Sequence, residues 1–178
     1  MGQDEPVQIG DYNPVWPDRF ESERHLLLGL LAPWLAGSIE HVGSTAVPGL
    51  RAKPIIDIMA PVRSLEDSRP AIDALEALQY HYFPYRTDSM HWFCKPSPRA
   101  RTHHLHLVPF GSQLWADRLV FRDYLRSHPE TAAEYAALKE CLAEQHRFDR
   151  EAYTDAKLPF VQRIIDIARD AGDAAYLV

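Results

Sequence analysis

The sequence predicts an α/β (α+β) chain, a mixed sheet flanked by helices with a helical C-terminal part. Ile55 to Val62 is apolar almost throughout, the pattern of a strand covered on both faces. Three aromatic-rich runs follow, Tyr80 to Tyr85, Met90 to Lys95 and His103 to Phe110, separated by Thr87-Asp88-Ser89 and Pro96-Ser97-Pro98. Runs of this kind punctuated by turn-formers read as an antiparallel meander. From Gln113 onward the apolar residues recur at helical spacing. Strands and helices mixed in the first half, then a helical tail, give this class.

Taken in order, residues 1–15 are polar, carry Pro6 and Pro14, and read as an extended lead-in. Pro17 suits the first turn of a helix, where its missing N–H costs little. Phe20, Leu27, Leu30, Leu31 and Trp34 form that helix's stripe to about residue 35, and Gly37 is expected to close it. Ser38 to Val42 is the first expected strand, and 55–62 the second. Asp67 or Ser68 is expected to cap a helix with Pro70 in its first turn and Ile72, Leu75 and Leu78 buried. Strands are expected near 80–86, 90–95 and 103–109. Leu114, Leu119, Phe121 and Leu125 share one later helix. Pro129 starts the next, marked by Tyr135, Leu138 and Leu142, and Phe160, Ile164, Ile165 and Ile167 mark a third.

The 178 residues suit one domain, 1–178, with no repeat, low-complexity tract or linker. Apolar content of 46% and charged content of 25% are those of an ordinary soluble protein. A net charge of −6 argues against a nucleic-acid partner held by broad electrostatics, while leaving room for a local basic pocket. Cys94 and Cys141 give neither a disulfide framework nor a CxxC pair. The acidic, polar start from Met1 to Pro6 is unlike a signal peptide. No apolar run approaches the roughly 18 residues that a membrane helix needs. A cytoplasmic protein without a membrane partner is expected.

The densest functional signal is residues 41–57. A short apolar stretch ends in Gly43-Ser44-Thr45. After Pro48-Gly49 and Lys53-Pro54 comes Ile55-Ile56-Asp57-Ile58. A small-residue turn at a strand end exposes N–H groups and hydroxyls that can cradle a phosphate. A carboxylate inside an apolar strand is costly unless it is paired or holds a cation. Ser44 and Thr45 are therefore candidates for phosphate contact and Lys53 for a counter-charge. The plain alternatives are a tight turn and a surface lysine.

This layout resembles the nucleotidyltransferase superfamily, the polymerase-β-like fold. There a Gly-Ser turn precedes a strand bearing Asp-x-Asp, and a later strand adds a third carboxylate. His41-x-Gly43-Ser44-Thr45-x-Val47-Pro48-Gly49-Leu50 with Lys53-Pro54-Ile55-Ile56-Asp57-Ile58 is similar, more specifically, to the GrpB family. His104-Leu105-His106-Leu107, Phe121-Arg122-Asp123-Tyr124-Leu125, Tyr135-x-x-Leu138-Lys139 and Tyr153-x-x-x-Lys157 fit it as well, so the resemblance runs from about Tyr12 to about Phe160. It implies a nucleotide or other phosphate-bearing small molecule as ligand, and transfer of a nucleotidyl or phosphoryl group. Similar domains also look like appendages to other enzymes, including some dephospho-CoA kinases.

One departure limits the chemistry. Met59 stands where the second carboxylate of Asp-x-Asp would be, and histidines occupy the later strand. One Asp with imidazoles is a weak Mg²⁺ site, better suited to Zn²⁺, Mn²⁺ or Ni²⁺. Strand alternation puts His104 and His106 on one face and His103, Leu105 and Leu107 on the other. Asp57 with His106, and His104 beside them, are the candidate metal and acid–base residues. A structural ion pair of Asp57 with Arg101 or Arg122 is the plain alternative. His41 either joins the site or fills the strand end. Arg122 either enters the cleft to bind an anion or pairs on the surface. Lys139 and Lys157 either line the cleft or lie exposed on their helices. Tyr80, Tyr82, Phe83, Tyr85, Trp92 and Phe93 are expected in the sheet core, with base stacking open to one of them.

Two functions follow. One is metal-dependent nucleotidyl or phosphoryl transfer to a small molecule. The other is a non-catalytic nucleotide- or anion-binding module with a degenerate site. Asp57→Asn is expected to leave stability little changed, or to raise it by relieving a buried charge.

Overall fold

A computed structural model describes residues 6–171. The reading of the chain start from Met1 to Glu5 lies outside the described residues. The sheet has five strands, β1 (Glu40–Val42), β2 (Ile56–Val62), β3 (His81–Phe83), β4 (His91–Pro96) and β5 (Arg101–Pro109), in the order β1-β2-β5-β4-β3. β3, β4 and β5 form the expected meander. β5 then closes against β2 in parallel, and β1 pairs antiparallel with the other edge of β2. β2 is apolar but for Asp57 because layers cover both its faces.

Helices α1 (Trp16–Leu31), α2 (Pro70–Ala74), α3 (Gln113–Ser127), α4 (Pro129–Gln145), α5 (Arg150–Asp155) and α6 (Leu158–Asp170) surround the sheet. On one face Trp16, Phe20, Leu27 and Leu31 of α1 meet Ile56, Ile58, Ala60, Leu105, Leu107 and Phe93. On the other, Trp115 of α3 covers Val42, Met59, Met90 and Val108. The turn residues Val47 and Leu50 pack with Leu125, Tyr135 and Phe160, drawing α3, α4 and α6 to the end of β1. The last helices thus stand beside the strand end that carries Asp57.

Local chemistry accounts for the departures from expectation. α1 stops at Leu31: Ala32 keeps helical backbone, but Pro33 has no N–H to carry the ladder on, and the Trp34 and Leu35 N–H groups turn back to the Leu31 carbonyl, so neither Trp34 nor Gly37 belongs to the helix. Ser68 gives its hydroxyl to the Ser64 and Leu65 carbonyls and caps nothing; Arg69 precedes α2 without a side-chain cap. α2 is one turn that tightens into a 3₁₀ segment at Leu75–Leu78. The short α5 has too few residues to show a period, and its start is held by Asp149 accepting from the Ala152 N–H. Ile167 is 42% exposed, and α6 buries Ile164, Ile165 and Ala168 instead.

One polar group lies under the α1 layer. Buried Glu23 receives Lys95 Nζ at 2.6 and 2.7 Å and the Tyr80 hydroxyl at 3.0 Å. Removing one partner of such a pair strands the other charge. Lys95→Met should therefore cost about 3–5 kcal/mol in urea denaturation, and adding Glu23→Gln should recover much of it. Equal loss in the single and double variants would refute that account.

Candidate functional site

β1 ends at Val42, which pairs with Asp57 of β2. Gly43 then turns with φ 72°, and a Cβ there would lie 2.5 Å from Asp57 Oδ2. Only glycine adopts this conformation at little cost while letting the carboxylate approach the main chain. The 3₁₀ turn Ser44–Ala46 follows. Across the parallel ladder Asp57 faces His104, and Met59 faces His106. His104 Nδ1 lies 2.9 Å from Asp57 Oδ1, and His106 Nε2 lies 4.0 Å from the same oxygen. All three side chains share one face. Asp57 remains 29% exposed, so solvent reaches its carboxylate.

Burial alone would push the Asp57 carboxyl up, but hydrogen bonding and charge from the histidines hold it well below the ordinary range. The carboxylate can only accept, so His104 donates through Nδ1–H, and its buried Nε2 has no protein partner. His106 is different. Burial, with Arg118 nearby, lowers it to about 3 against the pull of Asp57, so it is neutral at ordinary pH. Its 4.0 Å separation is too long for a hydrogen bond, which makes His104 the principal partner of Asp57. Nδ1 of His106 rests 3.4 Å from Met90 Sδ.

Above the strand end the C-terminal helices add cations and phenols. Lys53 and Lys157 both lie over the Tyr153 ring, their ammoniums 4.8 and 4.3 Å from its centre. Lys139, only 2% exposed, is 4.9 Å from the Tyr135 ring centre and donates to the Arg51 carbonyl. Burial, then repulsion from Lys157 and Lys53, lowers Lys139 to about 7. Burial and Lys53 lower Lys157 to about 8, with Asp57 pulling the other way. Burial raises both phenols, Tyr135 and Tyr153, and the negative charge of Asp57 adds to it; Tyr135 is hydrogen-bonded to Ser44.

A resident hard cation does not fit this donor set. Asp57 supplies the single carboxylate, Met59 is buried and apolar, and Asp57 Oδ1 already binds His104. Among the described residues no three His, Cys, Asp or Glu side chains are placed to hold one metal ion together. Asp57 and His106, the expected pair of ligands, form an incomplete site.

A family model for GrpB protein matches residues 6–166. The chain belongs to the GrpB family. It is 41% identical over 168 residues to a UPF0157 protein of Pseudomonas aeruginosa, covering 91% of this chain and 67% of that one. The crystal structure of the conserved protein GrpB from Enterococcus faecalis matches with a TM-score of 0.82 and 34% identity, over 90% of this chain and 96% of that one. Against two longer relatives the chain spans less than half their length, 44% of a Bacillus subtilis UPF0157 protein and 47% of a dephospho-CoA kinase from Mycolicibacterium paratuberculosis. The latter is 26% identical over 199 residues.

In this GrpB protein the fold brings together Gly43, Ser44, Lys53, Asp57, His104, His106, Lys139 and Lys157. Two residues expected at the phosphate have their side chains engaged elsewhere. Thr45 turns its hydroxyl inward to the Ile55 carbonyl and lies 3.0 Å from His41 Nε2. Since that hydroxyl's one proton is used, His41 must donate to it. His41 is thus neutral, lowered to about 4 by burial, and stacked on Phe20. Arg122 grips Glu40 and Asp123 and donates to the His41 carbonyl, so it braces β1 against α3 instead of facing a ligand. A shallow depression of about 270 Å³ beside it, bounded by Glu40, His41 and Arg126, lies on this braced side and apart from Asp57. Sequence reasoning missed Arg118, which faces Asp57 and His106 from α3, and the phenols Tyr135 and Tyr153. The tyrosines' position four residues before each lysine was the available signal; Arg118, one of three arginines spaced four apart on α3, had nothing local to set it apart from Arg122 and Arg126.

Gly43→Ala combines a left-handed backbone with a clash on Asp57. It should destabilise by at least about 1–3 kcal/mol, read by thermal unfolding. Asp57→Asn should cost roughly 1–2 kcal/mol at neutral pH, because the native site favours the charged form. This reverses the sequence-based expectation. A depressed native pKa gives stability that is present above the unfolded value and lost as pH falls through the native one. The gap between wild type and variant should therefore close below about pH 4. A gap independent of pH would disprove the charge-based account.

Proposed function

We propose that this GrpB protein binds the phosphates of a nucleotide-class small molecule in the cleft above Asp57 and transfers a phosphoryl or nucleotidyl group from it. The convergence of Lys53, Lys139 and Lys157 around Tyr135 and Tyr153 carries the reading. Burial first, and then the like charge of their neighbours, lowers Lys139 and Lys157 to about 7 and 8, and a bound polyanion would offset both effects by favouring the charged ammoniums. Ser44 and the turn after Gly43 offer hydroxyl and N–H donors beside them.

The transfer half rests on the Asp57–His104 pair. Asp57 fixes the imidazole with Nδ1–H toward itself, which leaves Nε2 as the basic nitrogen. In this reading His104 takes the proton of an acceptor hydroxyl as its oxygen bonds to phosphorus. The phosphorus–oxygen bond to the leaving phosphate breaks, and the lysines hold the released charge. No step runs through a metal. A divalent ion enters only as a counter-ion carried in by the phosphates.

The second reading, a binding module without chemistry, is favoured by Met59 in place of a second carboxylate. The two separate by ³¹P NMR of a nucleoside triphosphate incubated with wild type and Asp57→Asn. Slow conversion lost in the variant supports transfer; binding without conversion in either leaves the module.

Binding itself has a pH signature. Anions bind the charged lysines, so affinity for inorganic tripolyphosphate should be highest below about pH 7 and fall as pH rises through 7 to 8. Between those values binding should take up protons, visible calorimetrically as a heat that depends on the buffer. Lys157→Met should weaken tripolyphosphate roughly tenfold or more, the loss of a charge-assisted contact. Affinity flat with pH and unchanged in Lys157→Met would overturn the phosphate assignment. Zn²⁺ or Mn²⁺ alone should not raise the melting temperature at micromolar concentration; a large rise would restore a resident metal.

A further inference from the structure

The face that carries Asp57 continues across the meander into an aromatic surface that the phosphate reading leaves unused. The ladder sets Met59 opposite His106, His106 opposite Trp92, and Trp92 opposite Phe83. Side chains directly opposite share one face of a sheet. Trp92 is half-buried, its ring centre 5.2 Å from that of His104 and 5.4 Å from that of Phe83. One edge packs with the Met59, Met90 and Trp115 cluster, which fixes the ring in place. Arg101, anchored through Nε to the Pro98 carbonyl, sets its guanidinium 5.3 Å from the Trp92 ring centre. An indole with a guanidinium over its ring, on the sheet face that carries Asp57, suits a flat aromatic group.

We propose that Trp92, with Phe83 and Arg101, is the seat of the nucleobase of the ligand whose phosphates lie at the lysines. The inference rests on the phosphate reading for its continuity. Adjacent strands are about 4.8 Å apart, so Trp92 on β4 stands about 10 Å from the Asp57 strand. That span suits a nucleoside between base and phosphate. Stacking on an indole and a guanidinium is tolerant of base identity, because every base has a π face. The expected ligand class is therefore a purine or pyrimidine nucleotide bound with modest base preference.

Calorimetry with inorganic tripolyphosphate, ATP and CTP separates the two readings. In the wild type both nucleotides should bind roughly tenfold or more tightly than tripolyphosphate. Trp92→Leu should remove that advantage and leave tripolyphosphate affinity unchanged, and Trp92→Phe should restore part of it. Should Trp92→Leu fail to fold, Phe83→Leu and the wild-type ratio still decide. Tripolyphosphate binding with no nucleotide advantage would overturn the aromatic seat and spare the phosphate cleft. Failure of all three ligands to bind would overturn the phosphate reading and, with it, this one.

Discussion

Asp57 sets a carboxylate near the start of the interior strand β2, and the arrangement around it makes that tolerable. A charge inside an apolar strand is expensive to desolvate. Three features offset the cost. The parallel register of β2 and β5 brings His104 to 2.9 Å, Gly43 opens space against Oδ2, and part of the group stays in water. The first two depend on different strand pairings, which ties β1, β2 and β5 to one another through a single side chain. A slip of one residue between β2 and β5 would turn the histidines into the α1 core.

The wall opposite Asp57 follows the other logic. Burying Lys139 and crowding Lys157 against Lys53 costs stability, since each ammonium loses water and meets like charge. Their stems and the Tyr135 and Tyr153 rings recover some of that through packing and cation–π contact. What remains is unmatched like charge, a pattern more common at functional sites than in structural ion pairs. The Glu23–Lys95–Tyr80 group under α1 is the contrast, because its charges are matched and closed to solvent.

Membership of the GrpB family and the close match to the Enterococcus faecalis structure define the fold without defining a reaction. Relatives roughly twice as long as the matched region carry it as one part of a larger protein. The chemistry has to be argued from the site. There a single carboxylate, Asp57, stands with two imidazoles and within the field of Lys157.

The sequence by itself determined the strands and their faces. Period-two alternation in His103 to Val108, the apolar run of β2 and the turn-formers between aromatic runs are local signals, written within a few residues. It also marked the Gly43-Ser44 turn and Asp57, because a charge in an apolar run is anomalous without any partner in view. Partners were decided only by the tertiary structure. Whether Arg122 faced a ligand depended on Glu40, 82 residues earlier in the chain. The inward turn of Thr45 depended on the Ile55 carbonyl and His41. The burial that lowers Lys139 and Lys157 came from helices packing over a distant strand end. Side-chain direction and desolvation are properties of what packs around a residue, and no local pattern encodes them.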